Sequence, residues 1–284
     1  MRQTSLAIAI LTTLSAIPAA AQQTPRIVEN APVARQMTYA DLVALAEAAD
    51  AVADIEVTAA TKLKGPAAAG TPAGMQRFYI EGRLIALLGG KKGLPGQVAW
   101  LADVPLDAAN RAPKLKKMRL LAFVDTVPDR PGELRLARPY GQMMWSADLE
   151  TRTRGVLRDL IAADAPPHIT RVGNAFHVPG SLPGESETQI FLGTDDGRPV
   201  SLNVLRRPGE SPRWAVALGE MVDDSAAPPA PDSLLWYRLA CTLPAELPDH
   251  STADLTADQA GAARADYRVV IEALKPCTRN FPAG

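Results

Sequence analysis

Between residues 52 and 139 short apolar runs alternate with turn chemistry, a rhythm that confines this stretch to β-rich architectures of closely linked strands. In "VADIEVTAATKL" (52–63), Ile55 and Val57 alternate with polar neighbours, as in a half-buried strand. "MQRFYIEGRLIALL" (75–88) follows, closed by a glycine- and lysine-rich loop and Pro95-Gly96. "QVAWLADV" (97–104), "MRLLAFVDTV" (118–127) and "ELRLARP" (133–139) complete five strands, with "PDRPG" a strong turn signal before the last. Five strands with a helix at one end predict a small antiparallel barrel of OB-like type. Gly82, inside the second run, is expected to mark a bulge where that strand bends.

Helical signals flank these strands. Thr38 with Asp41 makes a capping-box start for a helix carrying Leu42, Leu45, Ala46 and Ala49 on one stripe. "WSADLETRTRGVLRDLIAAD" (145–164) reads as an amphipathic helix capped by Ser146, and it is the expected domain boundary. Four further strand candidates follow: "ITRVGNAFHV", "ETQIFLGT", "PVSLNVLRR" and "RWAVALGEMV". The proline-rich "DDSAAPPAP" (223–231) then leads to two helices, 232–243 with Asp232 as N-cap and 256–275 stopped by Pro276. The expected class is therefore α+β: two antiparallel β-rich halves, a connecting helix and a C-terminal helical pair. The domain reading is a signal peptide over 1–21, a loose leader over 22–37, an OB-like domain over 38–145 and an α+β domain over 146–284.

The N-terminus predicts export. Arg2 precedes an apolar run from Leu6 to Ile17, Pro18 breaks it, and Ala19-Ala20-Ala21 offers small residues for cleavage, leaving Gln22 as the expected mature N-terminus. A permanent anchor needs about 20 apolar residues, more than this run has. No later stretch is apolar enough to span a membrane, so the expected location is periplasmic or secreted. In such a compartment the cysteines, Cys241 and Cys277, are expected to form a structural disulfide. The competing reading, a reactive or metal-binding pair, would be favoured by a CxxC spacing, which is absent.

Chemistry is sparse. In "FHVPGSLPGESETQIF" (176–191), Gly180-Ser181-Leu182-Pro183-Gly184 has its serine in the wrong place for a lipase-type elbow. Pro179-Gly180 and Pro183-Gly184 read as consecutive turns between two strands, which would bring His177 near Glu185 or Glu187. That pair could orient a base, or could simply sit in a structural hairpin. Three histidines, His168, His177 and His250, are too few and too badly spaced for a metal centre, and no metal is expected. No H-E-x-x-H, C-x-x-C, P-loop or G-x-G-x-x-G pattern occurs, so no cofactor is expected either. Asp195/Asp196 and Asp223/Asp224 read as turn residues.

The sharpest surface feature is "RAPKLKKMR" (111–119), with Lys114, Lys116, Lys117 and Arg119 as ligand-binding candidates. Lys62 and Lys64 form a second basic loop, and Lys91 and Lys92 a third. Gathered at one rim of a barrel, they would attract an anionic envelope polymer. Phe78, Tyr79 and Trp100 could supply stacking platforms, or could be core. The same lysines would also serve as a solvated guard on an edge strand. A net charge of −1 argues against a nucleic-acid partner.

The stretches "HVPGSLPGESETQIFLGTDDGRPVSL", "RRPGESPRWAVALGEMVD" and "LLWYRLACTLP" resemble a family of exported bacterial proteins to which no activity is attached. The likeness covers most of residues 38–277 and implies residence in the envelope, with no catalytic position. Two function classes remain. One is a non-catalytic binding or interaction module, docking an anionic polymer or another envelope protein. The other is an envelope hydrolase using His177 with Glu185 or Glu187. An oligomeric scaffold is a third possibility.

Overall fold

A computed structural model describes residues 36–91, 93–219 and 226–281. The expected signal segment, leader residues 22–35, Lys92 and Asp223/Asp224 lie outside the described residues. The described residues from Gln36 onward belong to one compact unit.

Helix α1 (Tyr39–Ala48) begins with the expected capping box. Asp41 N–H donates to Thr38 Oγ1 at 3.1 Å, and Thr38 N–H donates to Asp41 Oδ2 at 3.0 Å. Asp41 is buried, and it also accepts the backbone N–H groups of Asn280 and Phe281. The two ends of the described chain are thereby joined through one carboxylate.

Strands β1 (Ala51–Lys62), β2 (Met75–Gly90), β3 (Gln97–Pro105), β4 (Arg119–Thr126) and β5 (Glu133–Leu136) close into a barrel in the order β1-β2-β3-β5-β4, sealed by β1–β4 pairing. The barrel is not wholly antiparallel as expected. β4 pairs with β1 instead of β3, so β5, the hairpin partner of β4, falls between β4 and β3. There it runs parallel to β3 through Ala99↔Glu133 and Trp100↔Leu134. A short strand β6 (Gln142–Met144), which the sequence pattern does not announce, adds to β4.

Ala51, Ala53, Ile55 and Val57 point inward with Phe78, Ile80, Val98 and Trp100. The intervening Val52 on β1, with Leu121 and Phe123 on β4, packs outward under α1 and helix α2 (Ala147–Ile161), so these strands are apolar on both faces. The register of β1 against β2 shifts between Val57 and Ala59, opposite Gly82. A bulge thus lies opposite Gly82, but its extra residue, Thr58, is on β1 and not on the second strand as expected. Gly82 itself answers to space: a Cβ there would sit 2.4 Å from Ile55 Cγ2 and 3.2 Å from Trp100 Cζ3. Gly82→Ala is expected to cost about 1–3 kcal/mol through overpacking. A urea midpoint within error of the unsubstituted chain would show that the barrel interior has slack.

Strands β7 (Ile169–Pro179), β8 (Ser186–Thr194), β9 (Val200–Arg206) and β10 (Arg213–Ala217) form a second sheet, an antiparallel meander. The Asp195–Gly197 turn joins β8 to β9, with Gly197 at φ 80° as its hairpin requires. Helix α4 (Ala257–Leu274) buries Ala263, Tyr267 and Val270 against Ile190, Leu192, Leu202 and Val204. Helix α3 (Leu234–Ala240) is capped by Ser233, one residue past the expected Asp232, because the Ser233 hydroxyl reaches Trp236 N–H. Its Leu234 and Tyr237 belong to the core outside the barrel, and its Leu239 to the core under the second sheet. One short helix therefore serves both cores. Cys241, its C-cap, is disulfide-bonded to Cys277 beyond the end of α4.

Candidate functional site

Strand direction decides which loops meet. β1 ends at Lys62, β2 begins at Met75, β3 ends at Pro105 and β4 begins at Arg119. The β1–β2, β2–β3 and β1–β4 pairs are all antiparallel, so these four termini share one end of the barrel. Backbone bonds tie the two connecting loops in place. Leu106 N–H donates to Gly74 at 2.9 Å, and Lys117 N–H donates to Val57 at 2.8 Å. Leu115 is buried among the barrel's interior residues, so the lysines beside it are turned outward.

Lys62, Lys64, Lys114, Lys116 and Lys117 are all exposed at this end. Among the described residues none of them reaches a carboxylate within ion-pair distance. The nearby acids are engaged elsewhere. Asp103 accepts two bonds from Arg77, each 2.8 Å. Asp107 accepts the Arg111 backbone N–H at 2.8 Å, its guanidinium at 3.0 Å and Ala109 N–H at 2.9 Å. The backbone N–H of Arg111, then its side chain, hold the Asp107 carboxyl below the usual carboxylate range. Lys117 has φ 70°, in the left-handed region where glycine fits without strain.

The structure separates the other basic candidates from this group. Arg119 lies on β4, bonded through Nε to both oxygens of the fully buried Asp54 at 2.8 and 2.9 Å. Its guanidinium lies 3.5 Å from the Trp145 ring centroid and 3.8 Å from Glu150. Trp145 Nε1–H donates to Glu150 at 2.7 Å, the leading reason that carboxyl sits low. Arg119 thus anchors α2 to the barrel. Lys91 sits at the opposite end, 3.8 Å from Asp50. Phe78 and Trp100 are barrel core, whereas Tyr79 is partly exposed on the outer face opposite Leu101.

The His177 site is assembled differently from the expected hairpin pair. β7 and β8 do pair through His177↔Thr188, and the loop between them does reverse the chain. Glu185 Oε2, however, accepts the backbone N–H groups of Ser181 and Leu182, closing that loop. Glu187 neighbours Thr188 on β8 and therefore points to the opposite, exposed face. The carboxylate on the side of His177 is Asp266 of α4, fully buried, whose Oδ2 lies 3.9 Å from His177 Nδ1. Thr188 stands between them: its hydroxyl donates to Asp266 and accepts from His177 Nδ1 at 2.8 Å. Arg206 Nε donates to the other Asp266 oxygen at 2.5 Å. A hydroxyl has one proton to give, and here Asp266 receives it. The cluster fastens α4 to the end of the sheet and offers no free nucleophile. Nothing in the sequence links His177 to Asp266, which come together only through packing.

A cleft of about 880 Å³ lies elsewhere, among Met37, Tyr39, Trp214, Trp236, Leu274 and Pro276, without His177 in its lining. Among the described residues no group of three His, Cys, Asp or Glu side chains could hold a metal ion, and no helix is long and apolar enough to cross a membrane.

No protein-family profile matches the chain, and no functionally described protein matches it either.

Proposed function

We propose that this chain is an exported, non-catalytic binding module that takes an anionic envelope polymer on Lys62, Lys64, Lys114, Lys116 and Lys117. The observation that supports it is five exposed lysines, without acidic partners among the described residues, on two loops held at one end of the barrel. Like charges placed together repel one another and gain little from folding alone. Lysine at a left-handed position costs backbone strain that glycine would avoid, which favours a use for that charge. Residence outside the cytoplasm rests on the N-terminal signal-like segment, the cystine and the resemblance to exported bacterial proteins. The arrangement around His177 gives the hydrolase reading no comparable support, because its hydroxyl partner is committed to Asp266.

The test is thermal unfolding of the mature chain with long-chain polyphosphate or a polyuronate. At 100 times Kd the polymer should raise Tm by roughly 5–10 °C. Salt near 1 M should erase the shift, because screening then acts within about 3 Å. Lys114→Glu, Lys116→Glu and Lys117→Glu together should abolish the shift while leaving Tm without polymer nearly unchanged. Binding that survives the triple substitution would end the proposal.

A further inference from the structure

His168, immediately before β7, has a carboxylate on each ring nitrogen. Nδ1 lies 3.0 Å from Asp195 Oδ2, on the β8–β9 turn. Nε2 lies 2.9 Å from Glu47 Oε1, in the last turn of α1. A carboxylate only accepts, so each contact is a hydrogen bond only if that nitrogen bears a proton. A neutral imidazole bears one. Both bonds exist together only in the imidazolium.

Charged groups from three elements meet at the ring. Glu47 sits at a helix C-terminus, where the helix dipole disfavours a carboxylate, and no basic residue of α1 offsets it in that turn. Arg238 of α3 donates to the same Glu47 oxygen that lies against His168 Nε2. Arg238 is buried, and its Nε reaches Pro166 O at 3.4 Å. Asp195 Oδ1 accepts His168 N–H at 3.1 Å, fixing the ring's base. The turn's other charges are matched locally: Arg198 Nε donates to Asp196 at 2.7 Å, and Arg198 Nη2 donates to Ala165 O at 2.8 Å. Among the described residues the charged groups at the ring are Glu47, Arg238 and Asp195, with the Asp196–Arg198 pair next along the same turn.

We infer that His168 is a proton-operated latch between α1, which packs on the barrel, and the turn that ends β8 in the second sheet. Proton uptake from solvent completes the Glu47–His168–Asp195 bridge. Proton loss leaves a ring lone pair facing one carboxylate, and that side of the bridge opens while Arg238 retains Glu47. The closed bridge requires both ring protons and the open form does not, so acidification favours closure and alkalinisation favours opening. This inference stands apart from the lysine site.

The experiment compares Tm at about pH 8 and about pH 5.5, the span in which histidines change charge while carboxylates stay ionised. The disulfide-intact chain should gain roughly 2–4 °C more on acidification than His168→Gln. Glu47→Gln and Asp195→Asn should each remove most of that extra gain. His177 and His250 are common to every variant, so the difference reports His168 alone. Equal gains in the unsubstituted chain and His168→Gln would overturn the latch. Imidazole nitrogen NMR on the unsubstituted chain supplies a second reading. The latch requires protons on both nitrogens of His168 at the acidic end, and a bare nitrogen there would also overturn it.

Discussion

Replacing Trp100 with alanine should lower the stability of the fold by about 3–5 kcal/mol, among the largest effects of any single substitution in the barrel. Trp100 is 2% exposed and lies between Ile80 on one neighbouring strand and Leu134 on the other. Its ring occupies the space that Gly82 leaves open, so truncation would leave a cavity inside the barrel. The loss has a polar component as well. Trp100 Nε1–H donates to Gln142 Oε1 at 2.7 Å, tying β3 to β6 across the barrel, and alanine would leave that oxygen without its donor. Urea denaturation followed by tryptophan fluorescence and by far-UV circular dichroism would measure the cost. A loss below about 1 kcal/mol would mean that the barrel is not packed around this residue.

Removing the disulfide should have an effect of similar size. Cys241 and Cys277 are 36 positions apart, and opening such a loop frees the unfolded chain by about 4 kcal/mol in the entropy model. The location adds to this. Cys241 ends α3, the helix whose side chains enter both cores, and Cys277 follows α4, which covers the second sheet. Cys241→Ala with Cys277→Ala should lower the denaturation midpoint and leave the chain indifferent to reductant. The unsubstituted chain treated with reductant should fall to the same midpoint. A midpoint that reductant does not move would show that the bond contributes nothing to stability.

These two effects differ in how visible they are in the amino-acid order. The cystine is legible because only two thiols occur and a secretory-type N-terminus predicts an oxidising compartment. Trp100 is ambiguous, because an aromatic residue in an apolar strand serves a stacking face or a core equally well. Its role follows from the inward phase of β3, set by pairing with β2 and β5. The lysines are a similar case. Their charge and neighbourhood in sequence mark a basic loop, but its union with Lys62 and Lys64, and the exclusion of Lys91, depend on which strand ends meet.

What the order of residues determines by itself is local. Apolar runs separated by turn residues mark the five barrel strands and the four strands of the meander. Thr38 with Asp41, and Ser146, place helix starts through bonds spanning three residues. Gly197 places a hairpin, and two cysteines leave one possible intramolecular pairing. The remaining features belong to tertiary structure. β5 lies beside β3 because one edge of β4 pairs with β1 and the other with β5. His177 meets Asp266 through Thr188, Arg119 meets Asp54, and His168 lies between Glu47 and Asp195. The reason is one of range. Caps, turns and alternation are set by backbone geometry within a few residues, whereas a buried acid finds its partner only when separate elements pack. A carboxylate in the sequence carries no mark of the cation or hydroxyl that will enclose it.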